Sequence, residues 1–575
     1  MNKKIQEILV SPDFTIKKVM EKINQASTSG APEGIAFIVN DDKVLLGIVT
    51  DGDIRRAIIR GVHINQKVSD IMVKEPITVQ ESMSTETMLK QINIQVSNAI
   101  AKKRIKENKV DKVIIVDQVN KVIGISHFYE IWRKSDIKLK KICVIGMGFV
   151  GLTLAVSLSD IGFTVNGIDV DEETVNSIKK GDPHFHEKNL EYLLKRNINK
   201  SLFINKELTS NDNDVYIISV GTPIENNHLV NLDSIKNVSS MVGKFLKEGD
   251  LVIIRSTVPV RACRDVVLPI LEKESSLIGG EDFYLAFAPE RTVEGKALEE
   301  LKTLPQIIGG FTKKCVDEAS NFFRNLSPHI ITVDSLEDAE MIKLINNSFR
   351  DVSFAFANEL VFICDKFNLN AAKIIKAATE GYPRNKMALP GFVGGYCLRK
   401  DPYIYANSAL KYDFVSKLVL NAREINENLL NYVAKKIHVF YSNNKKEKAS
   451  SKIFIIGFAY KGVPETSDMR YSPTLDLIKL LKENSQRNIY GYDPVVQKED
   501  VENTGVKYCS LEEGFTDADL VLIMNNHIQY KELDIVSLLK LTKKNCLFFD
   551  CWSMFEPKEI LKVKGIVYQC LGYKS

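Results

Sequence analysis

Lys141–Asp171, KICVIGMGFVGLTLAVSLSDIGFTVNGIDVD, sets the fold of the chain. An apolar run is broken by glycines at 146, 148 and 151, resumes without a charge to Ser159, and is followed by a second apolar run that ends at Asp169. That order predicts strand, tight turn, buried helix and second strand. Gly146 permits the turn, Gly148 lets a pyrophosphate approach the backbone, and Gly151 lets helix and strand pack closely. Asp169 is placed to accept hydrogen bonds from a ribose 2'-OH and would repel a 2'-phosphate, so the pattern favours NAD over NADP. The 18 uncharged residues from Ile142 to Ser159 match a membrane span in length, but their glycines and the strand that follows read as a buried fold core.

Outward from this unit, apolar stretches VYIISVGTP, LVIIRSTVP and FYLAFAPE predict strands ending near Val220, Thr257 and Pro289. In an open parallel sheet the C-terminal strand ends collect ligand-binding residues, which makes Thr222, Thr257 and Glu290 candidates. From about 334 the pattern changes to long helices. LEDAEMIKLINNSFRDVSFAFANELVFICDKF is apolar on more than one side, as expected of a central helix covered by neighbours or a second subunit. Lys343 and Asn347, four residues apart, share a face of it. After the polar connection NNKKEKAS at 443–450, KIFIIGFAY, a helix after Ser472-Pro473 and NIYGYDP repeat the doubly wound rhythm without the phosphate-loop glycines.

Upstream, IAFIVNDDKVLLGIVTDGDIRRAI and KVIIVDQVNKVIGISHFYEIW are two approximate copies of one α+β unit. Thr50 and Asp53 stand at a strand-to-helix junction, where hydroxyl and carboxylate can meet ribose hydroxyls or cap the helix. The second copy has GISHFYEI where the first has GIVTDGDIRRAI, so one conventional site is expected.

The 575 residues carry a formal net charge of +4, which requires neither nucleic acid nor an anionic membrane. Nine cysteines form no CxxC pair, and an odd number cannot close fully into disulfides, which favours a reducing, cytoplasmic setting. No signal peptide, transmembrane segment or metal-ligand cluster is expected. The most distinctive stretch is GFVGGYCLRKDPYIY. Cys397 follows a glycine pair, and Asp401 would share its helical face. A thiol there is either buried structure or a nucleophile beside a dinucleotide fold.

Residues 141 to about 555 resemble the UDP-glucose and UDP-N-acetylhexosamine 6-dehydrogenase family through GMGFVG, VGTP, STVP, APERTVEG, KLINN, GFVGGYCLRKDP and GFAYKGVPETSDMRYSP. The first 135 residues resemble a tandem cystathionine-beta-synthase-type (CBS) pair, whose ligands are adenine nucleotides. The resemblance implies an α/β chain of four parts: a CBS module at 1–135, an NAD-binding Rossmann domain at 140–333, a helical dimerisation and catalytic region at 334–442, and a Rossmann-like nucleotide-sugar domain at 451–575. It implies oxidation of a C6 alcohol to a carboxylate with two NAD per sugar, through a thiohemiacetal and thioester on Cys397, in polysaccharide precursor synthesis.

In that mechanism Asp401 and Lys343 bracket the reacting carbon. Glu290, Thr257 and Asn347 help with the hydrolytic water and the thioester oxygen. The resemblance places Gly146, Gly148, Phe149, Val150, Gly151, Asp169, Thr222, Thr257, Glu294, Lys400 and Arg470 near NAD. It places Glu290, Lys343, Asn347, Arg384, Gly394 and Lys461 around the UDP-sugar, with Arg384 reaching a neighbouring subunit's substrate, hence a homodimer or higher homo-oligomer. Tyr396 before the cysteine and the long Lys461-to-Arg470 spacing depart from the glucose-specific pattern. They point to a UDP-N-acetylhexosamine; UDP-glucose, an ordinary two-electron oxidation and an inactive nucleotide-responsive scaffold are the alternatives.

Overall fold

The computed structural model describes residues 3–29, 34–101, 112–127, 140–327, 329–444, 447, 449–484 and 488–574. They divide into two compact units, residues 1–140 and 141–575.

In the first unit two small sheets share one topology. Leu9–Val10 pairs parallel with Ile35–Val39, which pairs antiparallel with Leu45–Thr50. Thr78–Gln80 pairs parallel with Lys112–Val116, which pairs antiparallel with Val122–His127. Both antiparallel pairs shift register at the equivalent place, Ile38/Val39 and Ile115/Val116. Phe37, Val39 and Leu45 of one sheet and Ile114, Val116 and Val122 of the other lie in one apolar cluster, so each copy buries a face it could not bury alone. Residues 128–131 of the second copy's GISHFYEI, and the boundary at 135, lie outside the described residues.

The second unit holds two doubly wound sheets. The eight-stranded sheet runs Ile330–Thr332, Gln306–Gly310, Tyr284–Phe287, Leu251–Ile254, Val215–Ile218, Lys141–Ile145, Thr164–Ile168, Leu202–Asn205. Its pairs are parallel except Tyr284–Phe287 with Gln306–Gly310. The strand order therefore reverses at Lys141–Ile145, and a helix, α1 (Phe149–Asp160), starts at that switch point. The seven-stranded sheet repeats the arrangement around Ile453–Ile456, which lies between Ile489–Tyr492 and Leu520–Ile523. Its central strands are apolar at every position and buried on both faces, as parallel sheets covered by helices must be. Positions 445, 446 and 448 of the expected 443–450 connection lie outside the described residues.

Between the sheets run α2 (Leu336–Phe367), α3 (Tyr396–Leu410), α4 (Lys417–Asn443) and, opening the second sheet's helical layer, α5 (Pro473–Glu483). Helix α2 begins at Ser335, whose hydroxyl accepts from the Asp338 N–H, and Glu337 and Asp338 complement the positive end of its dipole. It stops at Asn368, which adopts the left-handed conformation at φ 53°. Among the described residues no helix is long and apolar enough to cross a membrane.

Three strands end earlier than their sequences predict. They stop at Ile218, Ile254 and Phe287. One further backbone bond continues each ladder, from the Ser219, Arg255 and Ala288 N–H groups, and serine side chains then add to it: Ser219 Oγ donates to the Ile145 and Gly146 carbonyls, and Ser256 Oγ to the Val220 carbonyl. Thr222, Thr257 and Glu290 consequently lie on loops above the sheet, with more latitude to face a ligand.

Candidate active site

The glycine turn forms as its spacing requires. Gly146 has φ +92°, and a Cβ added at Gly151 would lie 1.7 Å from the Gly146 carbonyl oxygen. Nothing lies within 4 Å of the place a Cβ would take at Gly148, and no side chain caps the N-terminus of α1. The Asp169 carboxylate closes the turn, with Oδ2 accepting from the Met147 N–H at 2.7 Å. Phe149 and Val150 occupy the first turn of α1, Phe149 edge-on to Phe185 at 5.3 Å between centroids. An open space over a helix N-terminus, with an acid at the end of the next strand, suits the pyrophosphate and ribose of NAD.

Helix α3 is gripped from both sheets. Lys400 Nζ donates to Thr222 Oγ1 at 3.0 Å, and the Thr222 hydroxyl in turn donates a hydrogen bond to the Thr257 carbonyl at 2.6 Å. From the other side Arg399 pairs with Asp476 of α5 at 2.6 Å. Before α3 the chain turns through Gly395 at φ +84°, where a Cβ would strike the Tyr460 ring at 2.6 Å. A Cβ at Gly394 would press on Pro473 at the same distance.

Helix α2 supplies a row of polar side chains to α3. Lys343, buried, donates to the Glu290 carbonyl at 2.5 Å. One turn on, Asn347 donates to Asp401 Oδ2 at 2.6 Å. Asp401 is wholly buried; its Oδ1 accepts no hydrogen bond and lies 4.0 Å from Lys400 Nζ. All nine cysteines are free, and Cys397 alone is exposed. It is reachable by solvent yet recessed among protein atoms. Burial and the Asp401 charge push its thiol above the ordinary cysteine range, while Lys343 and Lys400 pull it back and Glu294 adds to the rise. Burial lowers Lys400, against the pull of Asp401 and Cys397.

The Glu290 carboxylate is fully engaged. Oε2 accepts from Arg255 Nε at 3.0 Å and from the same guanidinium's Nη2, while Oε1 accepts from the Arg291 and Thr292 N–H groups, each at 2.7 Å. Burial would raise this acid, but Arg255, the Thr292 N–H and Lys343 together hold it below the usual range. The Arg255 partner was detectable in the sequence as a charge inside the apolar strand LVIIRSTVP, since a buried guanidinium needs a carboxylate.

At the mouth, Lys461 donates to the Glu294 carbonyl at 2.8 Å, and Thr466 to Glu294 Oε2 at 3.2 Å. Arg470 grips Asp468 and lies 3.6 Å from Glu294 and 5.6 Å from the Tyr396 ring centroid. Burial and Asp468 push Glu294 up to about 7. Arg384 is not brought to this cluster: it is exposed, bonded to Tyr382 at 2.9 Å. Thr50 and Asp53, in the first unit, form a capping box on Asp51–Ile59, with Asp53 also paired to Arg56 at 2.6 Å. Among the described residues no cluster of three or more His, Cys, Asp or Glu is placed to hold a metal.

The geometry has counterparts in known proteins. Family models for the UDP-glucose/GDP-mannose dehydrogenase family match residues 140–327 (NAD binding domain), 337–428 (central domain) and 454–557 (UDP binding domain). The chain belongs to the UDP-glucose/GDP-mannose dehydrogenase family. It is an NAD-dependent nucleotide-sugar dehydrogenase. A CBS domain model matches residues 1–60, one copy of the two topologically equivalent sheets. The UDP-N-acetyl-D-mannosamine dehydrogenase of Campylobacter jejuni is 34% identical over 410 residues, 69% of this chain and 97% of that protein. The enzyme of that name from Methanococcus maripaludis is 32% identical over 76% of this chain and 99% of its own. The solved UDP-D-ManNAc dehydrogenase of Pyrococcus horikoshii superposes with a TM-score of 0.67 at 29% identity, over 75% of this chain and 99% of that one. The three dehydrogenase models begin at residue 140 and leave the residues before it outside the family match.

Proposed function

We propose that this dehydrogenase oxidises the C6 alcohol of a UDP-N-acetylhexosamine to the uronate in two steps, with Cys397 as covalent nucleophile, for polysaccharide precursor synthesis. The observation that carries the proposal is Cys397 itself, the one exposed cysteine of nine, held next to Asp401, Lys343 and Lys400 where both sheets meet α3. The relatives' names supply the sugar class, and the manno epimer is the first to try.

Gly146, Gly148, Phe149, Val150, Gly151, Asp169, Thr222, Thr257, Glu294, Lys400 and Arg470 would hold NAD, which when bound accepts a hydride; two are used per sugar. Glu290, Lys343, Asn347, Gly394 and Lys461 would surround the UDP-sugar. In the first step the C6 hydroxyl proton passes to a base while the C6 hydrogen leaves with its bonding pair as the hydride NAD would take up, giving an aldehyde. The Cys397 thiolate then adds to the aldehyde carbon, and Lys343 steadies the oxygen that gains charge. Loss of a second C–H pair leaves a thioester. Water adds to it, the C–S bond breaks, and the carboxylate leaves as the sulfur regains a proton. We assign the proton transfers to Asp401, whose Oδ1 is buried with no hydrogen-bond partner. Glu290, its carboxylate committed to Arg255, acts on the water through the lysine its carbonyl holds.

Purified protein should release two NADH per UDP-N-acetylhexosamine with the uronate identified by mass, and Cys397→Ser should end complete turnover. One NADH with accumulating aldehyde would replace the reading by a two-electron oxidation. Preference for UDP-glucose would replace the sugar.

We further propose that residues 1–135 act as a tandem CBS module taking an adenine nucleotide at Thr50 and Asp53, whose mutual bonds would yield to ribose hydroxyls. Titration calorimetry of the full chain with AMP, ADP and ATP tests this, and absence of heat with all three rejects it. The apolar side chains of Ile345, Phe349, Phe356, Ile363 and Phe367, exposed along α2, suit a second copy of the chain. In that homodimer Arg384 would reach the partner's substrate. The free cysteines suit a reducing cytoplasm.

A further inference from the structure

Helix α3 contains Pro402. A proline has no N–H to give the carbonyl four residues earlier, and its ring pushes that carbonyl aside. The carbonyl concerned belongs to Leu398, the residue after Cys397. It is not left bare: Arg423 of α4 donates to it from Nη1 at 3.2 Å.

Arg423 is 1% exposed and held by two carboxylates, one of them braced in turn by Asn426. The same Nη1 donates to Asp351 Oδ1 at 2.5 Å, and Nη2 donates to Glu427 at 3.1 Å. Asn426 donates to Asp351 at 2.8 Å. Asp351 is two turns beyond Lys343 on α2, so Lys343, Asn347 and Asp351 form one buried row. The first reaches the Glu290 carbonyl, the second Asp401, and the third, through Arg423, the turn that carries Cys397. That turn is loosely held by its own helix: the Arg399 N–H reaches the Gly395 carbonyl only at 3.4 Å.

We propose that Arg423 is a positioning residue for the reaction, setting the place of Cys397 relative to Asp401 by supplying the donor that Pro402 removes from the Leu398 carbonyl. A guanidinium suits the place because its two Nη atoms, held apart in one plane, serve Asp351 and the carbonyl from one side and Glu427 from the other, whereas an ammonium would have to reach all three from a single nitrogen. The proposal rests on Cys397 being the nucleophile.

The test is a double-mutant cycle in the full-length protein between Arg423→Lys and Pro402→Ala. Arg423→Lys keeps the charge against Asp351 and loses the carbonyl bond. It should lower kcat and the iodoacetamide alkylation rate of Cys397 about 10–100-fold with KM for NAD little changed. Pro402→Ala gives α3 its own N–H for Leu398, so the double variant should stay within about threefold of Pro402→Ala alone. A purely structural ion pair would leave the double variant as impaired as Arg423→Lys, and that result overturns the proposal. If Arg423→Lys fails to fold, a folded, active double variant supports the proposal and an unfolded one overturns it. Cys397→Ser is assayed alongside. If it keeps full turnover, the nucleophile reading fails. If it loses turnover while Arg423→Lys keeps wild-type kcat and alkylation, only the positioning role fails.

Discussion

Asn347 donates a 2.6 Å hydrogen bond to one carboxylate oxygen of the fully buried Asp401 and leaves the other without a hydrogen-bond partner. The tied oxygen fixes the plane of the carboxylate, and the open one, 4.0 Å from Lys400 Nζ, is the one we assign to the proton transfers. Asn347→Ala should lower kcat by about 10²-fold through the lost orientation. It should also reduce unfolding free energy by about 1–3 kcal/mol through the unpaired acid. Steady-state kinetics and denaturant melts check both; an unchanged kcat would remove Asp401 from the proton transfers.

Thiol accessibility gives a direct count. With eight of nine cysteines buried and free, Ellman's reagent should modify one thiol per native chain quickly and the rest only on unfolding. Cys397→Ser should abolish the fast phase. A fast phase that survives would mean that another sulfur is exposed.

The reactivity of that thiol should depend on its cations. Lys343 and Lys400 lower a thiol that burial and Asp401 raise. Lys343→Met should therefore move the alkylation midpoint to higher pH, slowing alkylation below the midpoint about tenfold per unit of displacement. A midpoint that stays put would place Lys343 away from the sulfur.

Glu294 offers a stability test with a defined sign. Its acid is pushed from 4.5 to about 7 by burial and Asp468, so between those values the unfolded chain has released a proton that the folded one retains. Wild-type stability relative to Glu294→Gln should accordingly fall as pH rises from 4.5 to about 7 and level off above. Chemical melts of both proteins across that range check it, and parallel curves would show that the folded acid titrates normally.

The exposed stripe on α2 predicts an assembly. Phe349 and Phe356 are 73% and 58% exposed, so Phe349→Asp with Phe356→Asp should convert a dimer to monomer in sedimentation equilibrium. A wild-type monomer at micromolar concentration would reject the homodimer.

The sequence alone determined whatever is local in the chain or periodic along it. Glycines 146, 148 and 151 with Asp169 specify a turn because their spacing is backbone geometry, and the apolar runs specify strands because parallel sheets bury both faces. Lys343 and Asn347 fall in a long helical pattern, and the spacing of Cys397 and Asp401 puts them on one face once the helix over Tyr396–Leu410 forms. Only the tertiary structure decided which partners those side chains hold. Glu290 stood out as a carboxylate, yet its carboxylate belongs to Arg255 and its carbonyl to Lys343; no spacing encodes which end of a residue faces a neighbour 53 positions away. Arg423 has no signature in the sequence because its role depends on a carbonyl freed by Pro402 and on Asp351, 72 residues earlier. Sequence sets which hydrogen-bonding groups a segment must satisfy, and packing between distant segments chooses what satisfies them.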